Sequence, residues 1–202
     1  MARDFAGSPD RLVASSAAAT AYPMTLACWM RPASVGVTQS VLTVGLAAGT
    51  TALHLRLNTS NKLQARAVDS AGASSAVSSA LTVSAGTWLH AAGIFGANNN
   101  RTVCFNGQST NQTTNRTLDP STFTETIVGA NNTGSGYAAV FDGEIAEAAI
   151  WGATLSADEI VMLAAGYSPL CVRPESLRFY APLFGRAGAS GGEEDWVGGL
   201  TL

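Results

Sequence analysis

The stretch LHLRLNTSNKLQARAV, residues 53–68, decides the fold class of this chain. Residues 53–57 and 62–68 alternate between apolar and polar side chains, which is typical of a strand with one buried face. The NTSN segment at 58–61 consists of turn-forming residues and predicts a hairpin between the two runs. The stretch therefore predicts a pair of antiparallel strands against a hydrophobic core.

Short apolar runs separated by turn clusters continue through the chain. One helix is predicted, because Ser156 and Glu159 form a capping box, Ile160 and Leu163 share a face, and Gly166 suits a C-terminal cap. The pattern indicates an all-β protein with one short helix. Further strands are predicted at 24–30, 40–46, 87–95, 101–105, 126–129 and 141–151.

Composition excludes several classes of protein. The 202 residues are 47% hydrophobic and 12% charged, which excludes a disordered chain and suits one β-sandwich domain. The 11 basic and 14 acidic residues form no basic block, so no nucleic-acid partner is expected. No apolar run reaches the roughly 20 residues of a membrane span, and the N-terminus lacks a signal-peptide pattern. We therefore expect no membrane partner and synthesis in a cytoplasm.

The isolated cysteine, histidine and tryptophan residues are interpreted as structural residues rather than as parts of a functional site. Each cysteine adjoins apolar residues at a spacing unlike that of metal sites, so three buried free thiols are expected. His54 is expected on a solvent-facing strand position, and His90 as a hydrogen-bonded structural imidazole. Three tryptophans fall in strand patterns and are expected in the core. The cysteines are Cys28, Cys104 and Cys171, and the tryptophans are Trp29, Trp88 and Trp151.

Three segments resemble motifs of laminin-G-like domains, which are concanavalin A-like jelly rolls and include phage-encoded members. They are MTLACWMRP at 24–32, WLHAA at 88–92 with VCFNG at 103–107, and the run from Phe141 to Ile160 with FxGxI, IW and LSxxEI. The resemblance covers residues 22–165 in the family's order. It implies an all-β, two-sheet antiparallel jelly-roll sandwich. Members of the family include glycan binders, adhesion modules and virion proteins.

The resemblance also implies a displaced strand. Family members normally begin with a segment of roughly the form LxxYxPLxG and then DxxGxxL, whose counterparts here are LRFYAPLFG at 177–185 and DWVGGL at 195–200. This strand could complete its own sandwich, complete a neighbouring subunit, or belong to a tail or further domain. We therefore divide the chain into a jelly roll at 1–166 and a C-terminal extension at 167–202. The candidate assembly residues are Leu177, Phe179, Tyr180, Leu183 and Trp196.

No catalytic site is expected. Glucanases that share the fold carry ExDxE on one strand, whereas here the second and third acids are replaced by Ala146 and Ala148. The period of two along a strand predicts that Glu144 and Glu147 lie on opposite faces. Two carboxylates on opposite faces cannot flank one glycosidic bond.

The resemblance implies two candidate binding sites, one for calcium and one for a glycan. Many relatives bind calcium at a rim of the sandwich, and Asp142, Glu144 and Asp119 are the candidate ligands, with ordinary solvated carboxylates as the alternative. We otherwise expect no cofactor. A glycan site needs an exposed aromatic ring beside amides. Tyr137 is the candidate, with Asn131 and Asn132 in the same loop; an ordinary turn is the alternative.

The main functional prediction is a non-enzymatic structural or decoration protein of a virion, in particular of a bacteriophage. It rests on the missing export signal, the sparse surface charge and the displaced strand, and on the resemblance of residues 167–177 to segments that follow such domains in phage proteins. The expected partners are further copies, as a homo-oligomer, and other shell or tail proteins. The alternative is a lectin-like carbohydrate-binding module or receptor-binding tip. Sugar binding and presence in particles distinguish the two.

Overall fold

The structure, a computed structural model, describes residues 2–184 and 193–202. Its strands form two main antiparallel sheets and one small hairpin, which confirms the all-β prediction. The strands are β1 (Arg3–Ala6), β2 (Leu12–Ala14), β3 (Met24–Pro32), β4 (Gln39–Gly45), β5 (Ala52–Leu57), β6 (Lys62–Val68), β7 (Ser74–Thr82), β8 (Leu89–Ala97), β9 (Asn100–Phe105), β10 (Gln108–Gln112), β11 (Glu125–Val128), β12 (Asn131–Asn132), β13 (Tyr137–Ala138), β14 (Asp142–Trp151) and β15 (Leu177–Ala181).

The two sheets pack face to face. The seven-stranded sheet has the order β1-β14-β3-β8-β9-β10, with β15 also paired to β14. The six-stranded sheet has the order β2-β11-β4-β5-β6-β7, and β12 pairs with β13. Alternate residues of each strand point into the space between the sheets, as the period of two requires. Leu53, Leu55 and Leu57 of β5 belong to this core.

A second cluster of buried side chains lies on the outer face of the seven-stranded sheet. The helix α1 (Ala157–Ala164) covers it, with the predicted capping box between Ser156 and Glu159 present. Trp151 is fully buried there, and its indole Nε1 donates to the carbonyl of Val172 at 2.8 Å. Among the described residues, the helix covers only part of this face, and Trp29 and Ala146 line a cleft on another part of it.

Strand β14 carries two different partners along one edge. Its first half pairs with β1 and its second half with β15, so the C-terminal strand docks on its own sandwich in this structure. A β-bulge between Ala146 and Ala149 separates the halves, and Glu147 at the bulge has a φ of 54°. The division of the chain at residue 166, and exchange of β15 between subunits, stay predictions.

Four expectations about the burial of individual residues are wrong. Trp29 is only half-buried, because it lies on the outer face of the seven-stranded sheet. Cys171 is exposed, because it lies in a short 3-10 turn, whereas Cys28 and Cys104 are buried. Trp88 is 38% exposed, because it precedes β8. His54 is only 2% exposed, because the β12–β13 hairpin region covers its outward position on β5.

Candidate functional site

The uncovered part of the seven-stranded sheet's outer face contains a cleft of about 460 Å³. Trp29 and Trp88 line it, together with Glu144 and two small residues, Ala2 and Ala146. Trp29 is half-buried and Trp88 is exposed. Large aromatic side chains with accessible faces beside a charged group are typical of ligand sites rather than of ordinary surface.

Strand register explains how these side chains come together. Trp29 of β3 lies opposite Ala146 of β14, whose small side chain leaves the space that forms the cleft. Arg31 lies opposite Glu144 two residues further along the same strands, and the two side chains form an ion pair. The Arg31 guanidinium also lies 5.8 Å from the ring centroid of Trp88, a cation–π contact. Arg31 thus contacts both the Glu144 carboxylate and the exposed indole of Trp88.

His90 lies beside Trp29, from the adjacent strand β8. The two rings meet edge to face with centroids 5.6 Å apart. Burial lowers the pKa of His90 to about 4, so the imidazole is neutral. Its Nδ1 is buried and has no hydrogen-bond partner among the described residues, contrary to the expected hydrogen-bonded imidazole.

Glu144 and Glu147 lie on the same face of the sheet, so the prediction of opposite faces is wrong. The extra residue of the bulge shifts the alternation by one, and Ala148 and Ile150 therefore point into the core. Glu147 accepts a 2.7 Å hydrogen bond from the phenol of Tyr180, which packs in the outer cluster. The apolar pattern of residues 141–151 does not indicate the bulge, so sequence reasoning missed it.

The predicted glycan loop lies over the other sheet. Tyr137 of this loop is not an open platform, because the Arg11 guanidinium lies 4.0 Å from its ring centroid. Asn131 and Asn132 instead line a pocket of about 180 Å³ together with His54 and Arg66. Asn132 lies opposite Tyr137 in the β12–β13 hairpin, but Tyr137 is not among the residues that line this pocket.

The three calcium candidates are not brought together. Asp119 caps a 3-10 turn, where its carboxylate accepts from the amide and hydroxyl of Ser121, and these bonds lower its pKa. Asp142 accepts a 3.1 Å hydrogen bond from Ser34, and Glu144 pairs with Arg31. Within residues 2–184 and 193–202, no three His, Cys, Asp or Glu side chains are grouped as metal ligands.

The candidate assembly residues belong to the edge of the sandwich. Tyr180 and three aliphatic or aromatic neighbours are buried, whereas Trp196 is 53% exposed. Asp195 ties the two segments together, because its carboxylate accepts from the backbone amides of Tyr180, Val197 and Leu200. The three buried neighbours are Leu177, Phe179 and Leu183.

A two-sheet antiparallel sandwich with a helix on one outer face defines a jelly-roll domain. The chain belongs to the concanavalin A-like lectin/glucanases superfamily, since a laminin G family model of that superfamily matches residues 6–161. No curated protein sequence matches the chain significantly.

Solved structures share this fold at low sequence identity. The CBM40 of the Ruminococcus gnavus IT-sialidase, bound to α2,3-sialyllactose, is 15% identical with a TM-score of 0.67, covering 81% of this chain and 96% of that chain. The native heptameric SAP-like pentraxin of Limulus polyphemus is 14% identical with a TM-score of 0.66, and 82% of each chain is covered. The enzymatically active domain of bacteriophage CBA120 tailspike protein 2 is 18% identical with a TM-score of 0.60, covering 86% and 28%.

Among the described residues, no helix has the length and apolar character that crossing a bilayer requires.

Proposed function

We propose that this protein is a carbohydrate-binding domain whose ligand lies in the Trp29–Trp88 cleft. The observation that carries the proposal is the exposed indole of Trp88 beside a fixed acid and guanidinium, Glu144 and Arg31. A sugar ring presents apolar C–H faces and polar hydroxyl edges. The indole faces suit the former, and the charged pair suits the latter.

The comparisons support this proposal over a purely structural role. The CBM40 with the same fold is bound to sialyllactose in its structure, and the family contains lectins. The likeness to that structure concerns the fold, and the cleft residues of this chain supply the argument for its own ligand. Sialyllactose is therefore a sensible member of the first set of sugars to test.

We further propose binding without hydrolysis. Glycosidases use one carboxyl group as an acid and a second as a nucleophile or base. Here the two nearby candidates have partners within the protein, since Glu144 pairs with Arg31 and Glu147 accepts from Tyr180. Neither carboxylate is therefore free of a protein partner, as a general acid, base or nucleophile in hydrolysis would need to be.

Calorimetric titration of the purified protein with a panel of neutral and sialylated oligosaccharides tests the proposal. We expect a saturable interaction with at least one sugar, a shift in tryptophan fluorescence on binding, and about tenfold weaker binding for Trp88→Ala. Trp88→Phe, which keeps an aromatic face, should bind with intermediate affinity.

Tyr167→Ala is the matched control, because Tyr167 is 56% exposed and lies after the helix, outside the cleft. It should bind as the unmodified protein does. Absence of binding to every sugar, or equal binding by Trp88→Ala, would overturn the proposal.

A second candidate function is assembly into a virion. The tailspike domain with this fold and the heptameric pentraxin support it. If the protein is a virion component, it should sediment with particles in fixed ratio to a shell or tail protein of the genome that encodes it. Recovery only as a small species would contradict this role and leave the sugar-binding proposal standing.

A further inference from the structure

The outer face of the six-stranded sheet presents two arginines side by side. Arg56 of β5 lies opposite Gln64 of β6, and Arg66 lies opposite His54, so the two guanidinium groups occupy diagonal positions on one face. Diagonal neighbours in an antiparallel pair are roughly 7–8 Å apart, within reach of long side chains. The inward alternation of Leu53, Leu55 and Leu57 fixes this arrangement.

Neither arginine has an acidic partner in the described part of the chain. Arg56 Nε donates to Gln64 Oε1 at 3.0 Å, whereas Arg31, Arg116 and Arg173 each pair with a carboxylate. The residues outside the described ranges, Met1 and GRAGASGG at 185–192, contain no acidic side chain. Two adjacent half-buried positive charges without an anion are an unfavourable arrangement in the free protein.

The pKa values of Arg56, Arg66 and His54 also reflect the burial of these groups and the excess of positive charge around them. Burial and the Arg66 charge lower the pKa of Arg56 to about 10, and burial also lowers the pKa of Arg66. Burial and both arginines lower the pKa of His54 to about 3, so its imidazole is neutral. Glu125, the buried acid near this face, accepts from Asn132 Nδ2 at 3.3 Å.

The tautomer of His54 follows from its neighbour. The Thr43 hydroxyl donates its single hydrogen to the carbonyl of Ala130 at 2.9 Å, so its oxygen accepts from His54 Nδ1 at 3.1 Å. His54 Nε2 then carries a lone pair and is a hydrogen-bond acceptor. The imidazole thereby suits a ligand hydroxyl rather than an anion.

Arg66 lines the pocket of about 180 Å³. Asn131, Asn132 and Thr133 line the same pocket from the β12–β13 hairpin. Asn131 Oδ1 is buried without a hydrogen-bond partner among the described residues. The pocket is smaller than the roughly 300–1,000 Å³ of drug-sized sites, so it suits one small ring. It combines a cationic side with neutral amide, hydroxyl and imidazole groups.

We propose that this pocket, lined by Arg66 and flanked by Arg56, binds a carboxylate-bearing sugar, with the carboxylate on Arg66 and the ring hydroxyls on Asn131, Thr133 and His54. A guanidinium binds a carboxylate through two parallel hydrogen bonds, and Arg56 adds a second positive charge from the diagonal position. The site lies on the opposite sheet from the Trp29–Trp88 cleft. It therefore goes beyond the proposed function and is tested separately.

The test compares ligands that differ only in the carboxylate. Methyl β-glucuronide and methyl β-galacturonide are titrated against methyl β-glucoside and methyl β-galactoside at low salt, with inorganic phosphate and sulfate as further probes. We expect at least one of the two acid sugars to bind at least tenfold more tightly than its neutral counterpart, and this preference to weaken as salt screens the charges. It should bind more tightly than either inorganic anion.

Substitutions of the two arginines test where the acid sugar binds. Arg66→Gln should weaken acid-sugar binding at least tenfold, Arg66→Lys should recover part of it, and Arg56→Gln should have a smaller effect. Arg178→Gln is the matched control, because Arg178 is exposed on β15 of the other sheet. Acid-sugar binding that survives Arg66→Gln but is lost in Trp88→Ala would place the ligand in the cleft and overturn this proposal, so failure here and failure of the cleft proposal are distinguishable.

Thermal melting provides a second readout. Because Arg66→Gln relieves the repulsion, it should raise the melting temperature of the free protein and abolish the stabilisation of the unmodified protein by the acid sugar. Equal binding of acid and neutral sugars, phosphate binding as tight as the acid sugars, or no effect of Arg66→Gln would each overturn the proposal.

Discussion

The phenolic hydroxyl of Tyr180 donates a 2.7 Å hydrogen bond to Oε2 of Glu147, and this contact joins β15 to the bulge of β14. Burial and the nearby Glu147 raise the pKa of Tyr180, so the phenol keeps its hydrogen well above neutral pH. The bond explains how a charged residue is accommodated at a bulge beside buried alanines.

Removal of this hydroxyl should destabilise the protein. Tyr180→Phe keeps the ring packing but leaves the Glu147 carboxylate without its donor, and hydrogen bonds to charged groups contribute about 1.5–3 kcal/mol. We expect the free energy of unfolding, measured by urea denaturation, to fall by about 2 kcal/mol. Tyr167→Phe removes an exposed hydroxyl and serves as the control; equal effects of the two would contradict the prediction.

The two buried histidines should make the protein acid-sensitive. Their pKa values are lowered by burial, to about 3 for His54 and about 4 for His90, whereas an unfolded histidine titrates near 6.5. The unfolded chain therefore binds more protons, and stability falls as the pH drops below about 6.5. We expect a loss of about 2 kcal/mol per histidine between pH 8 and pH 5.

The measurement is the urea midpoint as a function of pH. His54→Gln and His90→Gln should each flatten the curve between pH 6.5 and pH 5, and their effects should add. A curve for the double variant that is as steep as that of the unmodified protein would show that other groups cause the acid sensitivity.

Thiol labelling should distinguish the three cysteines. Cys171 is exposed, whereas Cys28 and Cys104 are buried and burial raises the pKa of both thiols. The thiolate is the reactive form. One thiol per chain should therefore react with a maleimide in the native protein and three in urea, and Cys171→Ser should abolish the native reaction. Rapid labelling of a second thiol under native conditions would contradict the burial.

Gly143 should tolerate no side chain. Its φ is 136°, and a Cβ there would collide with the carbonyl oxygen of Arg31 and approach the amide nitrogen of Ala33 to 2.7 Å. Gly143→Ala should lower the free energy of unfolding by about 3 kcal/mol or prevent folding. Gly72→Ala, whose Cβ would meet no atom within 4 Å, separates the collision from the cost of a positive φ alone.

Much of the fold could be predicted because its strands carry an apolar alternation. The runs in β5 and β6 and the capping box of α1 were read directly from residue order. Strand β7 could not be found this way, because SSAVSSALT contains too few large apolar residues to show a period. Its pairing with β6 supplies the order that its own sequence does not indicate.

The candidate sites were less predictable, because they depend on contacts between segments that are distant in sequence. His54 occupies an outward position on β5, as its alternation predicts, but the loop at Asn131–Thr133 closes over it. Trp88 falls within the strand predicted at 87–95 but precedes β8 in the structure. Arg56 and Arg66 are visible in the alternation, but that neither has a carboxylate partner among the described residues becomes evident only from the assembled sheet.

The shared edge of β14 has a consequence for aggregation. Ala181 of β15 lies opposite Ala148 and Arg3 of β1 lies opposite Ile145, so the two strands run in one direction, end to end. Between them Glu147 donates its amide to the carbonyl of Pro182 at 3.2 Å. Two strands of four and five residues, interrupted by a bulge, make a poor template for the edge of another sheet. The same interruption that places Glu147 beside Tyr180 thus protects this edge from indiscriminate self-association at high concentration.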